Sequence, residues 1–161
     1  MLLRTADIND LDAVARAETA CFPPTEAATK EEFAARLEHY PGHFWLLFKE
    51  DRLIAFADGM VTDAADLEDA MYVDASLHNE NGQWQMIFGL NTLPEYRRRG
   101  YAGQLIRRII ADAQAQHRSG VVLTCKQHLI HYYAGFGFID EGVSEKSTHG
   151  GAVWHQMRLR F

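Results

Sequence analysis

A mixed α/β fold in a single domain is the class this sequence predicts, and three observations predict it. The length of 161 residues is close to the ~150 typical of one domain. The apolar period changes from helical to alternating near Phe44 and returns to helical after Gly100. The strongest helical stripe follows directly on a strand and a basic loop that ends in glycine.

Leu2 to Ala6 reads as a short strand, and Asp7, Asn9 and Asp10 are helix-start residues ahead of Leu11, Val14 and Ala15 at helical spacing. This helix ends near Phe22, because Pro23 and Pro24 lack backbone donors and push the preceding residue out of the helical region. Thr29 to Glu32 is a capping box opening a second helix with Phe33 and Leu37 on its apolar face. Phe44 to Phe48 and Leu53 to Met60 form a hairpin across the polar turn Lys49 to Arg52. Asp63 to Asn81, rich in acids and amides, is a long surface connection with a short helix around Leu67 to Met71. One strand then runs from Trp84 to Leu93. Ala102, Leu105, Ile106, Ile109, Ile110 and Ala113 line one face of the next helix. Gly120 to Cys125 is a strand, Leu129 to Ala134 a short helix, and Phe136 to Asp140 and Val153 to Leu159 close the fold. There is no internal repeat and no interdomain linker.

With 47% hydrophobic and 24% charged residues and 4 prolines, the composition excludes disorder and collagen-like structure. A net charge of -6 is a poor footprint for a chain whose main partner is nucleic acid, and a cationic or neutral small substrate fits better. Cys21 and Cys125 alone make no disulfide framework, which points to a reducing compartment. Met1 to Asp7 lacks the pattern of a signal peptide and no stretch nears the ~20 apolar residues of a membrane span, so a soluble, cytoplasmic protein without a membrane partner is expected.

The segment Arg97-Arg98-Arg99-Gly100-Tyr101-Ala102-Gly103 joins strand to helix in the manner of a phosphate cradle. Free amides at a helix start point outward, Gly100, Ala102 and Gly103 let a pyrophosphate approach, and the arginines add charge. Neither a dinucleotide-fold glycine motif nor a P-loop is present. Arg97-x-x-Gly100-x-Ala102 resembles the pyrophosphate motif of the GNAT superfamily of acetyl-CoA-dependent N-acetyltransferases, and Tyr132 to Phe138 resembles its late helix-to-strand signature. Leu90 to Tyr96 looks like that family's bulged fourth strand, and the resemblance covers nearly the whole chain, 1–161, as one acetyltransferase domain.

The resemblance implies a central, mostly antiparallel sheet splayed at its fourth strand and flanked by helices. It also implies that acetyl-CoA is the co-substrate. Backbone groups of Leu90, Asn91 and Thr92 would hold the pantetheine arm, and Arg97, Arg98, Arg99, Gly100, Tyr101, Ala102 and Gly103 would hold the pyrophosphate. Phe22 to Thr29, His43 to Trp45 and Arg52 to Phe56 are similar to the acceptor side of arylalkylamine N-acetyltransferases. Where vertebrate members carry a His-x-His pair, this chain has Met86 and Phe88; some insect members instead place a catalytic Glu where Glu26 stands.

Amine attack on a thioester needs a neutral amine, an oxyanion stabiliser and a proton for the thiolate. Tyr133 is the candidate acid, set against a packing role. Glu26 is the candidate base, set against a plain acid flanking the next helix. His128 and His131 have no carboxylate or thiol to complete a ligand set, so no metal is expected. Cys21, Cys125, Phe44, Trp45 and Phe56 read as core, and Asp63, Asp66, Glu68, Asp69 and Asp74 as a solvated acidic loop. The expected reaction is acetyl transfer to a primary amine of a small arylalkylamine- or polyamine-like molecule. Protein N-terminal or lysine acetylation and a non-catalytic acyl-CoA-binding module stand as alternatives, and a homodimer is open to the chain.

Overall fold

The computed structural model describes residues 1–161, and the helix expected after Thr29 begins at its cap. Thr29 Oγ1 accepts from the Glu32 amide at 3.1 Å while the Glu32 carboxylate accepts from the Thr29 amide at 2.9 Å, opening helix α2 over Lys30–His39. Strand β1 is Leu2–Thr5, and helix α1, Leu11–Cys21, follows a 3-10 turn capped by Asp7. Strands β2, Phe44–Lys49, and β3, Arg52–Asp58, form the expected hairpin. β4 is Val61–Thr62 and helix α3 is Asp69–Val73.

The strand expected from Trp84 to Leu93 is two strands, β5 at Trp84–Ile87 and β6 at Gly89–Thr92. The cause is a change of partner at Phe88. β5 pairs in parallel with β7, Gly120–Cys125, up to Ile87 opposite Leu123. The Phe88 amide then donates to Asp58 O at 2.8 Å, and from Gly89 onward the chain pairs with β3. β6 therefore belongs to a sheet of order β1-β2-β3-β6, and β5 to a second sheet. That second sheet runs β4-β5-β7-β9-β8, with β8 at Ile139–Val143 and β9 at His155–Arg160. All pairs but β5 with β7 are antiparallel. Helix α4, Tyr101–Ala115, lies in the crossover that makes that pair parallel, and helix α5 is Ile130–Ala134.

Two further expectations are corrected. Gly135 to Gly137 is a turn, with Gly137 at φ +99°; Phe138 is buried in the core outside any strand, and pairing begins only at Ile139. The connection from Asp63 to Asn81 buries Leu67, Met71 and Tyr72, and two of its acids are tethers. Asp66 receives Lys146 at 2.9 Å and Arg158 at 2.8 Å, and Asp69 accepts from the Thr148 amide at 2.9 Å.

The two faces carry separate cores. On one, Val14, Phe33 and Leu37 of α1 and α2 pack on Phe44, Leu46 and Phe56. On the other, Leu105, Ile106 and Ile109 of α4 pack on Trp45, Ile54 and Leu123. Each such side chain removed from water contributes about 2 kcal/mol, so each half of the fold is held by its own core. No helix is long and apolar enough to cross a membrane.

Candidate active site

Beyond Leu123 the edges of β6 and β7 diverge and bound a groove of about 770 Å³. One wall is Gly89, Leu90 and Thr92, and the other is Thr124, Cys125 and Tyr133. At one end lie Arg97, Arg98, Gly100, Tyr101 and Ala102. Gly100 is the residue before α4 and has φ +83°, a left-handed conformation that side chains resist, and it turns the chain so that the first amides of α4 face the groove's end. Arg97 is braced by its Nε donating to Thr92 O at 3.0 Å. The groove's edge is thus a row of backbone donors and small residues ending in cationic side chains, suited to an extended ligand with a phosphorylated tail.

Of the residues expected to bind cofactor, three stand outside the groove wall. The Asn91 side chain turns toward α1, Arg99 lies over the Tyr96 ring at 5.8 Å, and Gly103 is buried facing Arg107 and Phe136. Tyr133 lines the groove, and burial holds its phenol well above its ordinary value. Cys125 is also at the wall, with its thiol pushed up to about 11 by burial, so it stays neutral. Cys21, half-buried, donates its thiol to Thr92 O at 3.4 Å, and both cysteines are free.

The other end narrows, past Phe22, Phe88 and Trp154, into a chamber of about 30 Å³. Glu26 borders both spaces. Its carboxylate is paired with Lys126 Nζ at 3.0 Å, and its carbonyl accepts from His149 Nε2 at 2.6 Å. His149 stacks on Tyr72, with ring centroids 4.5 Å apart, and Trp154 Nε1 donates to His149 O at 2.7 Å. A Cβ on Gly150 would lie 2.7 Å from Thr25 O, so the segment between β8 and β9 is pressed against the loop that follows α1. This strap was not legible as part of the site.

Deeper in the chamber are charges that sequence reading passed over. Arg36 and Asp58 pair at 3.0 Å with side-chain exposures of 4% and 1%, and the guanidinium lies between the rings of Phe33 and Phe88. Beside them Glu18 accepts from the Ala28 amide at 2.8 Å and from Asn91 Nδ2 at 3.0 Å. Burial, with the Asp58 charge adding to it, pushes Glu18 up to about 7. The signal was there: Glu18 falls four residues after Val14 on the buried stripe of α1, and Arg36 sits between Phe33 and Leu37 on that of α2.

A third cluster lies outside the groove, where His43, His78 and Glu80 bring ligand-type atoms within 4.8 Å of one another. It is built as an ion-paired strut. His78 Nδ1 accepts from the Val61 amide at 3.0 Å, which leaves its proton on Nε2, the atom facing Glu80. Glu80 is already held by His43 at 2.8 Å and by Arg118 at 3.0 Å.

A search of curated proteins gives no match. Among solved structures, the GNAT-like decarboxylase GphF in complex with isobutyryl-CoA superposes with a TM-score of 0.84 at 18% identity over 99% of each chain. The loading GNATL domain of CurA from Lyngbya majuscula gives 0.84 at 20% identity, covering 99% of this chain and 96% of that one. The ribosomal-protein-S18-alanine N-acetyltransferase from Escherichia coli gives 0.73 at 15% identity, covering 99% and 92%. At these identities the likeness is one of fold. The family model described as "Acetyltransferase (GNAT) family" matches residues 11–138, a span holding the splayed strands, the first turn of α4 and Tyr133, and the chain belongs to that family.

Proposed function

We propose that the protein moves an acetyl group from acetyl-CoA to a primary amine of a small molecule, arylalkylamine- or polyamine-like in character. The observation that carries this reading is the polarity of the groove. One end offers helix-start amides and arginines, and the other is walled by Phe22, Phe88 and Trp154 with acids behind them. An aromatic wall backed by carboxylates suits an arylalkylammonium group. The strap of His149 and Trp154 roofs the acceptor end, which favours a small acceptor over an extended peptide.

In this reading Leu90 to Thr92 and the first turn of α4 align the cofactor along β6. Glu26 meets the incoming cation first, and its ion pair with Lys126 keeps the carboxylate in place. The neutral amine attacks the thioester carbonyl carbon, a C–N bond forms, and the carbonyl electrons move to oxygen. Collapse breaks the C–S bond. Tyr133 gives its proton to the departing thiolate and is recharged by the proton shed from the new amide nitrogen.

Release of free thiol from acetyl-CoA, measured with a panel of arylalkylamines, polyamines and peptides, tests the reading. Turnover with small amines and none with peptides is expected. A second reading is suggested by the likeness to a GNAT-like decarboxylase in complex with isobutyryl-CoA. Carbon dioxide release from a carboxyacyl-CoA with no amine present would support it against the first.

A further inference from the structure

We propose that Glu18 of α1 is the group that takes the proton from the acceptor's ammonium, through one water seated over Gly89 at the break between β5 and β6. The inference rests on the amine-acetyltransferase reading given above.

The geometry converges on one point. The position that a Cβ on Gly89 would occupy lies 3.8 Å from each of Glu18 Oε1, Asp58 Oδ1 and Asn91 Nδ2, and nothing is nearer. Three polar atoms from α1, β3 and β6 therefore surround a space that only the absence of a side chain leaves open. The chamber's volume of about 30 Å³ exceeds the roughly 10–15 Å³ that a cavity needs to hold a water. Gly89 also lines the main groove, so a water there touches both the groove and Glu18.

Neighbouring hydrogen bonds single out Glu18 as the acceptor. Asp58 Oδ2 is committed to Arg36 at 3.0 Å, and Arg36 NH2 also donates to Tyr72 O at 2.7 Å. Glu26 is committed to Lys126 at 3.0 Å. Glu18 has no cation within hydrogen-bond distance; its oxygens receive one amide N–H and the Asn91 Nδ2. The titratable groups that face it are Asp58 from β3, Arg36 from α2 and Cys21 within α1, with Glu26, Tyr72 and His149 across the chamber. Its burial beside Asp58 pushes it up to about 7, which makes it a stronger base than an ordinary carboxylate while it remains partly ionised at neutral pH. The step balances simply. The ammonium gives one proton to the water, the water gives one to Glu18, and Glu18 later releases it to solvent; the amine keeps its lone pair for attack.

The test compares pH profiles of kcat/KM for one alkylamine with wild type, Glu18→Gln, Glu26→Gln and Gly89→Ala. Wild type is expected to show a rising limb near pH 7. Glu18→Gln should lose that limb, fall about 10²-fold at pH 7, and recover much of its rate at pH 10, where solution supplies neutral amine. Gly89→Ala should behave alike, since a methyl group fits at 3.8 Å from its neighbours yet fills the water's place. Glu26→Gln should keep the limb and raise KM for the amine. The fold should accept Glu18→Gln, because Asn91 Oδ1 is buried without a partner and an amide flip would offer it to the new NH2. A limb retained in Glu18→Gln, or lost in Glu26→Gln, overturns the inference. Wild type that acetylates no amine at all would instead overturn the functional reading on which it rests.

Discussion

At the scale of single residues, the proposed roles set a neutral phenol donor, Tyr133, against a buried carboxylate, Glu18. Tyr133 stays protonated because burial lifts its phenol, so its donor capacity does not vary over the working pH range. Tyr133→Phe should therefore lower kcat by about 10²-fold equally at pH 6 and pH 9, with the acetyl-CoA binding constant little changed. A loss confined to one end of that range would point to another acid. Glu18 carries the opposite consequence. Its value near 7 in the fold lies above the ordinary 4.5, so the folded state favours the protonated carboxyl. The stability this gives is fully present below 4.5 and is lost as pH rises through 7. Removing the charge in Glu18→Gln should make the protein more stable than wild type by about 3 kcal/mol at pH 8, with the gap closing toward pH 4, as read by denaturant unfolding. Equal stability at both pH values would show that the carboxylate is not strained by its burial.

At the scale of elements, the first turn of α4 and the break at Phe88 are the parts that make a groove. Gly100, at φ +83°, is a poor place to test the turn, because any side chain there strains the backbone as well as the site. Ala102 is better. Ala102→Leu keeps helix propensity while setting a branched side chain beside the free amides, and it should weaken coenzyme A binding at least tenfold by calorimetry while helix content holds. Helix α4 and the capping box of α2 were legible because they are local: a stripe at 3.6 spacing and a Thr29 to Glu32 pair need no distant partner. The split of Trp84 to Leu93 was not, because what ends β5 is a change of pairing partner from β7 to β3. Tyr133, Glu26 and seven of the ten residues expected to bind cofactor do line the groove, since the family motifs carried them there. The buried Glu18, Arg36 and Asp58 were not singled out, because each lies on a different element and only the fold brings them together.

At the scale of the whole molecule, the two sheets and their two cores give the halves of the site different kinds of support. The cofactor half rests on β6 and α4, both locked by sheet pairing or by a core helix face. The acceptor half rests on two unpaired loops, one after α1 and one between β8 and β9. They meet through His149 and the Glu26 carbonyl, 123 positions apart in sequence, and through Gly150 pressed on Thr25. Salt bridges from Lys146 and Arg158 to Asp66 fasten the second loop and its strand to the connection before α3, so that the strap's position is set from outside the site. Under the proposed function, acceptor preference is thus inherited as a matched pair of loops. A lineage, or an engineer, that swaps either one alone inherits a mismatched lock, whereas both exchanged together could pass a new preference onto the same acetyl-donating frame.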